Sequence, residues 1–382
     1  MKNKFKSLKR RDVLIGASVL TGAAVLASCD DKIDGGTPDK PKESTSISKN
    51  IIHWRMATTW PKNFPGVGTT AENVAKDITK ASGGRIEIKV YGSGEIVPAY
   101  EVFDAVRNGV AEMSHDSPYY WLSKHPAAAF FSTVPAGLSS AEQTTWLLDG
   151  GGQELWDELY SNFGLIGFPA GNAGLQMLGW YKNKISSVED LKGLKIRMSG
   201  MHAEVLNRLG ATTVNLPGGE IMTSLQSGVI DGVEWGGPWM DLAFGFHKIV
   251  KYCYGPGLHE PGANFSLTIN KEAFDGLSKD LRQIIRSAAL AELIASFSEF
   301  NYRNAIAYRT LIEKHNVKML RLPEDVINKW FSISEEVISE VADHDTISRR
   351  IYESWKNYRN HAIALAPHND LGFLEARNRR QF

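Results

Sequence analysis

Residues 193–234 read GLKIRMSGMHAEVLNRLGATTVNLPGGEIMTSLQSGVIDGVE. The pattern predicts a strand at Leu194–Met198, a helix at Ala203–Leu209 and a short strand at Thr212–Asn215. A second helix follows at Gly219–Gly228, and another strand starts at Gly232–Trp235. So tight an alternation fits an α/β unit, in which each helix crosses back over a sheet. Arg197 sits inside the first strand. An unpaired guanidinium is costly to bury, so that strand needs a carboxylate partner, either of the protein or of a ligand.

The alternation recurs upstream. IIHWRMATTW (51–60) predicts a strand ending before Pro61, and a helix follows from Thr69 to Ala81, stopped by Gly83-Gly84. RIEIKVYG (85–92) alternates as a strand, and Tyr100 to Asn108 reads as a helix stopped by Gly109. Ser140 to Phe163 reads as one helix, opened by a capping box from Ser140 and Gln143. Residues 165–181 contain one or two strands, and a second α/β unit spans 174–260. Asp275 to His315 is a long helical pattern. Pro323 opens another that reaches Ala366 and carries Trp330, Phe331, Ile338, Ile351, Tyr352 and Trp355. Aromatics this dense on a late helix point to core packing, with a subunit interface as the alternative.

Length and charge narrow the function classes. The 382 residues suit two domains. Basic and acidic residues balance at 43 each, which removes the electrostatic case for a nucleic-acid partner. Two cysteines, Cys29 and Cys253, do not make a disulfide scaffold. Residues 1–28 read as an export signal: a basic start with Arg10-Arg11 of twin-arginine type, then an apolar run of small residues. Leu26-Ala27-Ser28-Cys29 has the form of a bacterial lipobox, in which Cys29 is lipidated; the alternative is an ordinary signal with a chance cysteine. Residues 29–49, rich in Asp, Lys, Gly, Pro and Ser, read as a flexible tether.

Several catalytic signals fail. Gly150-Gly151-Gly152 lacks the Lys-Ser/Thr of a phosphate loop, and His259-Glu260 lacks the second histidine of a metalloprotease helix. His115, Asp116 and Ser117 have no nucleophile-elbow context, and the ten histidines show no zinc spacing.

Five segments together carry a resemblance. They are DLKGLKIRM, LGATTVNLPGGEIMTSLQSGVIDGVEW, YGPGLHEPG, GSGEIVPAYEVFDAVRNGVAEMSHDSPYYW and PAGNAGLQMLGWY. They resemble the solute-binding subunits of tripartite ATP-independent periplasmic (TRAP) transporters, most of all the 2-oxoacid-binding branch. The resemblance covers nearly all of the chain after the tether. It implies an α/β, two-lobed periplasmic binding protein of type II-like architecture with a central cleft. A long helix would cross the lobes, and long C-terminal helices would build a homodimer. Lobe 1 would be residues 50–173 with 261–300 returning to it, lobe 2 residues 174–260, and the C-terminal helices residues 301–382.

The implied function is delivery of a small 2-oxo or 2-hydroxy monocarboxylate, pyruvate- or lactate-like or longer, to membrane subunits, with no chemistry on it. The alternatives on such a fold are a periplasmic enzyme and a ligand-sensing subunit. By resemblance Arg197 anchors the ligand carboxylate. Gln176, Glu234, the Trp235 carbonyl and Glu260 hold a sodium or calcium ion, as hard oxygen donors suit. Tyr119, Tyr120, Trp121 and Phe64 would line the other lobe, with Trp60 and Asn63 as lesser candidates. Arg197 cancels the ligand charge and the two glutamates add two negatives. A divalent ion then balances the site and a monovalent one leaves it negative, so the count leans to calcium.

Overall fold

In each of two sheets, one strand arriving from the other half of the chain runs against its neighbours. The computed structural model describes residues 51–379. The expected export signal, the whole tether and Cys29 lie outside the described residues. Lobe 1 begins with β1 (Ile52–Thr58), α1 (Val67–Ala81), β2 (Ile86–Tyr91), α2 (Val102–Arg107) and β3 (Met113–Asp116), followed by α3 (Ser140–Asp149), α4 (Gly152–Ser161) and β4 (Leu165–Asn172). Lobe 2 holds β5 (Gly179–Tyr181), β6 (Lys195–Arg197), α5 (Met201–Arg208), β7 (Thr212–Val214), α6 (Gly218–Ser227), β8 (Gly232–Val233), α7 (Pro238–Phe244) and β9 (Tyr252–Tyr254). The chain returns to lobe 1 as β10 (Asn264–Asn270), α8 (Lys271–Asp275) and α9 (Lys279–Glu313). It then adds β11 (Lys318–Leu320) to the lobe 2 sheet and ends in α10 (Glu324–Ala342), α11 (Thr346–Leu365) and α12 (Asp370–Asn378).

The lobe 1 sheet has the order β2-β1-β3-β10-β4, and the lobe 2 sheet β11-β9-β5-β8-β6-β7. β10 is antiparallel to β3 and β4, and β5 is antiparallel to β8 and β9. The other pairings are parallel, as helical crossovers require. The two passages between lobes, residues 173–178 and 255–263, lie side by side. Ala173 N–H donates to Ala263 (3.0 Å) and Gly257 N–H to Gln176 (2.8 Å), each to the main-chain oxygen. α9 has 35 residues, about 50 Å of helix. It packs on β4 and α1 in lobe 1 and on α7 in lobe 2, and so spans both.

Three sequence expectations shift. The stretch from Ser140 to Phe163 is two helices, because Gly151 takes a left-handed conformation (φ 84°) that glycine tolerates best. The capping serine is Ser139: its backbone is extended, it accepts from Glu142 N–H, and Glu142 accepts from Ser139 N–H at 2.8 Å. Ser140 and Gln143 are instead buried, with Gln143 bonded to the Phe130 carbonyl at 2.7 Å. The last long helix also splits, because Asp345 caps a new start by accepting from Ser348 N–H at 2.8 Å.

Trp330, Ile338, Ile351 and Trp355 are core, whereas Phe331 is exposed. α10 packs on α5 of lobe 2, and α11 on α3 and α4 of lobe 1. α12 packs chiefly on the turn before it and buries none of its residues. Among the described residues no helix is long and apolar enough to cross a membrane.

Candidate ligand and ion site

The strand ends of lobe 2 and the two passages between lobes converge on one buried cluster. Arg197 closes β6, and Glu234 follows β8, its register neighbour, with Glu234 N–H on the Arg197 carbonyl at 3.1 Å. Gln176 lies on the first passage and Glu260 on the second. All four side chains are at most 3% exposed. Ligands of open α/β sheets bind at such carboxyl ends of parallel strands.

The arginine has a protein partner on one side only. Its Nη1 donates to the Glu234 carbonyl (2.5 Å) and carboxylate (3.1 Å), and its Nε to the Leu216 carbonyl (3.3 Å). The guanidinium lies over the Trp235 ring at 5.1 Å. Its Nη2 has no partner. Three oxygens nearby share that condition: Gln176 Oε1, Glu234 Oε1 and Glu260 Oε1. The other ends of Gln176 and Glu260 are bonded to each other, Nε2 to Oε2 at 2.7 Å.

Each buried, unpaired polar atom costs about 1–3 kcal/mol. Three hard oxygens and one charged donor are thus left unpaired in one cluster, a donor set chemically suited to a cation and an anionic group. The donor set therefore fits sodium or calcium. Burial, and after it the charge of Glu234, pushes the Glu260 carboxyl well above its ordinary range; Arg197 opposes the shift.

Tyrosines from lobe 1 face this cluster. The Tyr119 ring is 4.8 Å from Tyr120 and 6.1 Å from His202 of α5, and Tyr120 is 5.2 Å from Tyr100. Burial raises the pKa of all three tyrosines, so their hydroxyls stay neutral donors. Phe64 reaches across to Phe244 (4.5 Å) and Trp235 (6.1 Å).

Trp121 departs from expectation. It packs on Phe103 in the lobe 1 core, and its indole N–H is held by Asp116 at 3.0 Å, so it is framework rather than wall. Trp60 donates to His115 Nδ1 at 2.8 Å, which leaves Nε2–H of His115 to donate to the Ala170 carbonyl at 3.1 Å. His115 and Asp116 are thus each bonded elsewhere and form no catalytic relay.

Four residues near the site escaped the sequence reading. His259 Nε2 is 3.3 Å from Glu234 Oε1, and His202 Nε2 is 3.6 Å from Glu260 Oε1; both histidines are fully buried. Burial, reinforced by His259, holds His202 well below the ordinary histidine range, hence neutral. Tyr100 and Asn215 meet at the cleft rim, Oη to Oδ1, at 2.8 Å. One signal was available: His259 adjoins Glu260, and His202 follows the Arg197 strand.

Two lobes around a buried polar cradle have the architecture of a solute-binding protein. The chain belongs to the bacterial extracellular solute-binding protein family 7, whose pattern matches residues 56–345, and is a TRAP-type solute-binding protein. It is 36% identical over 370 residues to a monocarboxylate 2-oxoacid-binding periplasmic protein of Nostoc sp., covering 96% of this chain and 98% of that one. Two solved TRAP periplasmic solute-binding proteins share the fold. The one from Pseudoalteromonas atlantica has bound sodium and pyruvate; it is 37% identical, with TM-score 0.82, covering 85% of this chain and 99% of that one. The one from Colwellia psychrerythraea has bound calcium and pyruvate; it is 38% identical, with TM-score 0.83 and the same coverage.

Proposed function

We propose that this chain binds a small 2-oxo or 2-hydroxy monocarboxylate together with one sodium or calcium ion between its lobes. It delivers that acid to the membrane subunits of a TRAP transporter. The observation that carries the reading is the set of orphaned atoms: Arg197 Nη2 beside Gln176 Oε1, Glu234 Oε1 and Glu260 Oε1. In this reading the free edge of Arg197 takes the carboxylate, in charge-assisted contact. The three oxygens and the Trp235 carbonyl take the ion, and the carboxylate and 2-oxygen of the acid complete its shell. Tyr119, Tyr120 and Phe64 cover the ligand. No bond of the acid is made or broken, so turnover of the acid by the pure protein would overturn that part.

The test is calorimetry with pyruvate, lactate and longer 2-oxoacids, with and without EDTA. Saturable binding of at least one acid, abolished in Arg197→Ala, is expected. Equal affinity in that variant sinks the assignment.

The apolar surface supports a homodimer. α9 exposes Leu290, Ile294, Tyr302 and Ile306, and α12 exposes Leu371, Phe373 and Leu374. Removing residues 370–382 is expected to yield monomers in analytical ultracentrifugation. Cys29, in its lipobox setting, supports a lipid-anchored periplasmic protein; Cys29→Ser should then move it from the membrane to the soluble periplasmic fraction.

A further inference from the structure

A polar contact joins the two lobes directly. Tyr100 Oη donates to Asn215 Oδ1 at 2.8 Å, bridging residues 51–172 and residues 179–254. Tyr100 stands in the short turn before α2 of lobe 1, and Asn215 just after β7 of lobe 2. The same Asn215 oxygen also accepts from Ser199 Oγ at 2.7 Å. Ser199 follows the strand that carries Arg197, so the acceptor is aimed from within the site's own framework. On the other side, the Tyr100 ring is in contact with Tyr120 of the tyrosine wall. Aromatic contacts also cross the cleft mouth: Phe64 with Trp235 and Phe244, and Tyr119 with His202.

We propose that Tyr100 and Asn215 form the latch that holds the cleft shut over the ligand. Aromatic contacts tolerate sliding and tilting, whereas a hydrogen bond is lost within about 1 Å of separation. The pair therefore biases the lobes toward one closed geometry. A bond present only in the closed state raises the closed fraction and retards opening. The acid enters an open cleft, so the latch acts on release rather than on entry. Tyr100 and Asn215 act in this scheme as positioning residues, through the contact between the lobes. The latch rests on the proposed function only for its ligand probe.

The experiment uses Tyr100→Phe, Asn215→Ala and the double variant, each probed by stopped-flow tryptophan fluorescence with pyruvate and calcium. Release is expected to quicken by about two- to tenfold in either single variant, the effect of one exposed hydrogen bond. Association should stay within twofold of wild type. The double variant should release no faster than the quicker single one, because one bond is lost in all three. Small-angle scattering of the ligand-free proteins should show a larger radius of gyration in the variants. Unchanged release with unchanged scattering overturns the latch, and so do additive effects in the double variant. If wild type binds no acid, the proposed ligand fails, and the scattering comparison alone decides the latch.

Discussion

Replacing Glu260 by Gln tests the charge balance of the cradle while keeping its shape. The side chain is fully buried; its Oε2 accepts from Gln176 and its Oε1 is free. A glutamine can keep one oxygen toward Gln176 or toward an ion, but not the charge. Arg197 and Glu234 already neutralise each other at 3.1 Å. With an acid bound, the uncompensated charges are then Glu260 and the ligand carboxylate. A divalent ion cancels both, whereas a monovalent ion leaves one over. In Glu260→Gln the order reverses: sodium balances the site and calcium overcharges it.

The ligand atoms of Glu234, His259 and Glu260 all lie within 4.8 Å of one another, so an ion among them feels each charge at contact range. Removing one buried charge partner costs about 2–5 kcal/mol, most of it through faster release. Coulomb energy scales with the ion's charge, so sodium should lose about half of what calcium loses. The expected change in preference is about 1–2 kcal/mol, or about 5- to 30-fold toward sodium. The assay is calorimetric titration of calcium into pyruvate-saturated protein, with sodium as competitor.

A pH series adds a second check. Burial and the charge of Glu234 push the Glu260 pKa up, so a proton competes with calcium for its carboxylate. Calcium affinity should therefore fall as pH falls in wild type and lose that component in the variant. Equal weakening of both ions, or none, refutes the charge argument.

Arg197→Lys keeps the positive charge but loses the planar fork that serves Glu234 with one nitrogen and leaves another free. Loss of one charge-assisted bond, about 1.5–3 kcal/mol, should weaken acid binding by roughly 10- to 150-fold in calorimetry; affinity within threefold of wild type would remove Arg197 from the site. A third perturbation concerns stability. Glu292 on α9 is buried with a single long amide contact, from Asn73 at 3.4 Å, and burial raises its pKa from 4.5 to about 7. The folded state thus binds its proton more tightly than the unfolded one. That stabilisation is complete below the unfolded value and is lost as pH rises through about 7. Glu292→Gln should gain about 1–2 kcal/mol over wild type at pH 8 and little at pH 4, measured by urea unfolding; an equal difference at both pH values would refute it.

The sequence made some of this legible for identifiable physical reasons. The strand-helix alternation of both lobes could be read because glycines stop the helices and apolar residues keep period. The errors fell where a single backbone torsion decides. Nothing local distinguishes Ser139 from Ser140 as the cap, and a left-handed Gly151 divides what otherwise looks like one helix. Arg197 stood out because an arginine in an apolar strand demands a partner. Gln176 and Glu260 had no such signal, since the passages between lobes carry no periodicity; only the resemblance pointed to them. His202, His259, Tyr100 and Asn215 lie on four separate segments. What marks them is burial, absence of a partner or reach across the cleft, and these exist only once the chain is folded.

The positions of the orphaned atoms also make the ion and the acid depend on each other. An acid on Arg197 without an ion would add a second negative charge beside Glu260 in a cluster without solvent. An ion without the acid would leave Arg197 Nη2 unpaired and its own shell incomplete. Each partner therefore relieves a cost that the other leaves. Two of the ion's proposed donors, Gln176 and Glu260, sit on the two adjacent passages between lobes. An ion held there ties those passages together where the lobes must bend, so it favours the geometry that the acid needs. Linkage then requires reciprocity: calcium must raise pyruvate affinity by the same factor by which pyruvate raises calcium affinity. A coupling of about 1–3 kcal/mol, about 5- to 150-fold, is expected from paired titrations. Unequal factors would mean more than one ion site. A factor of one would mean that acid and ion bind in different places, and the shared cradle would be wrong.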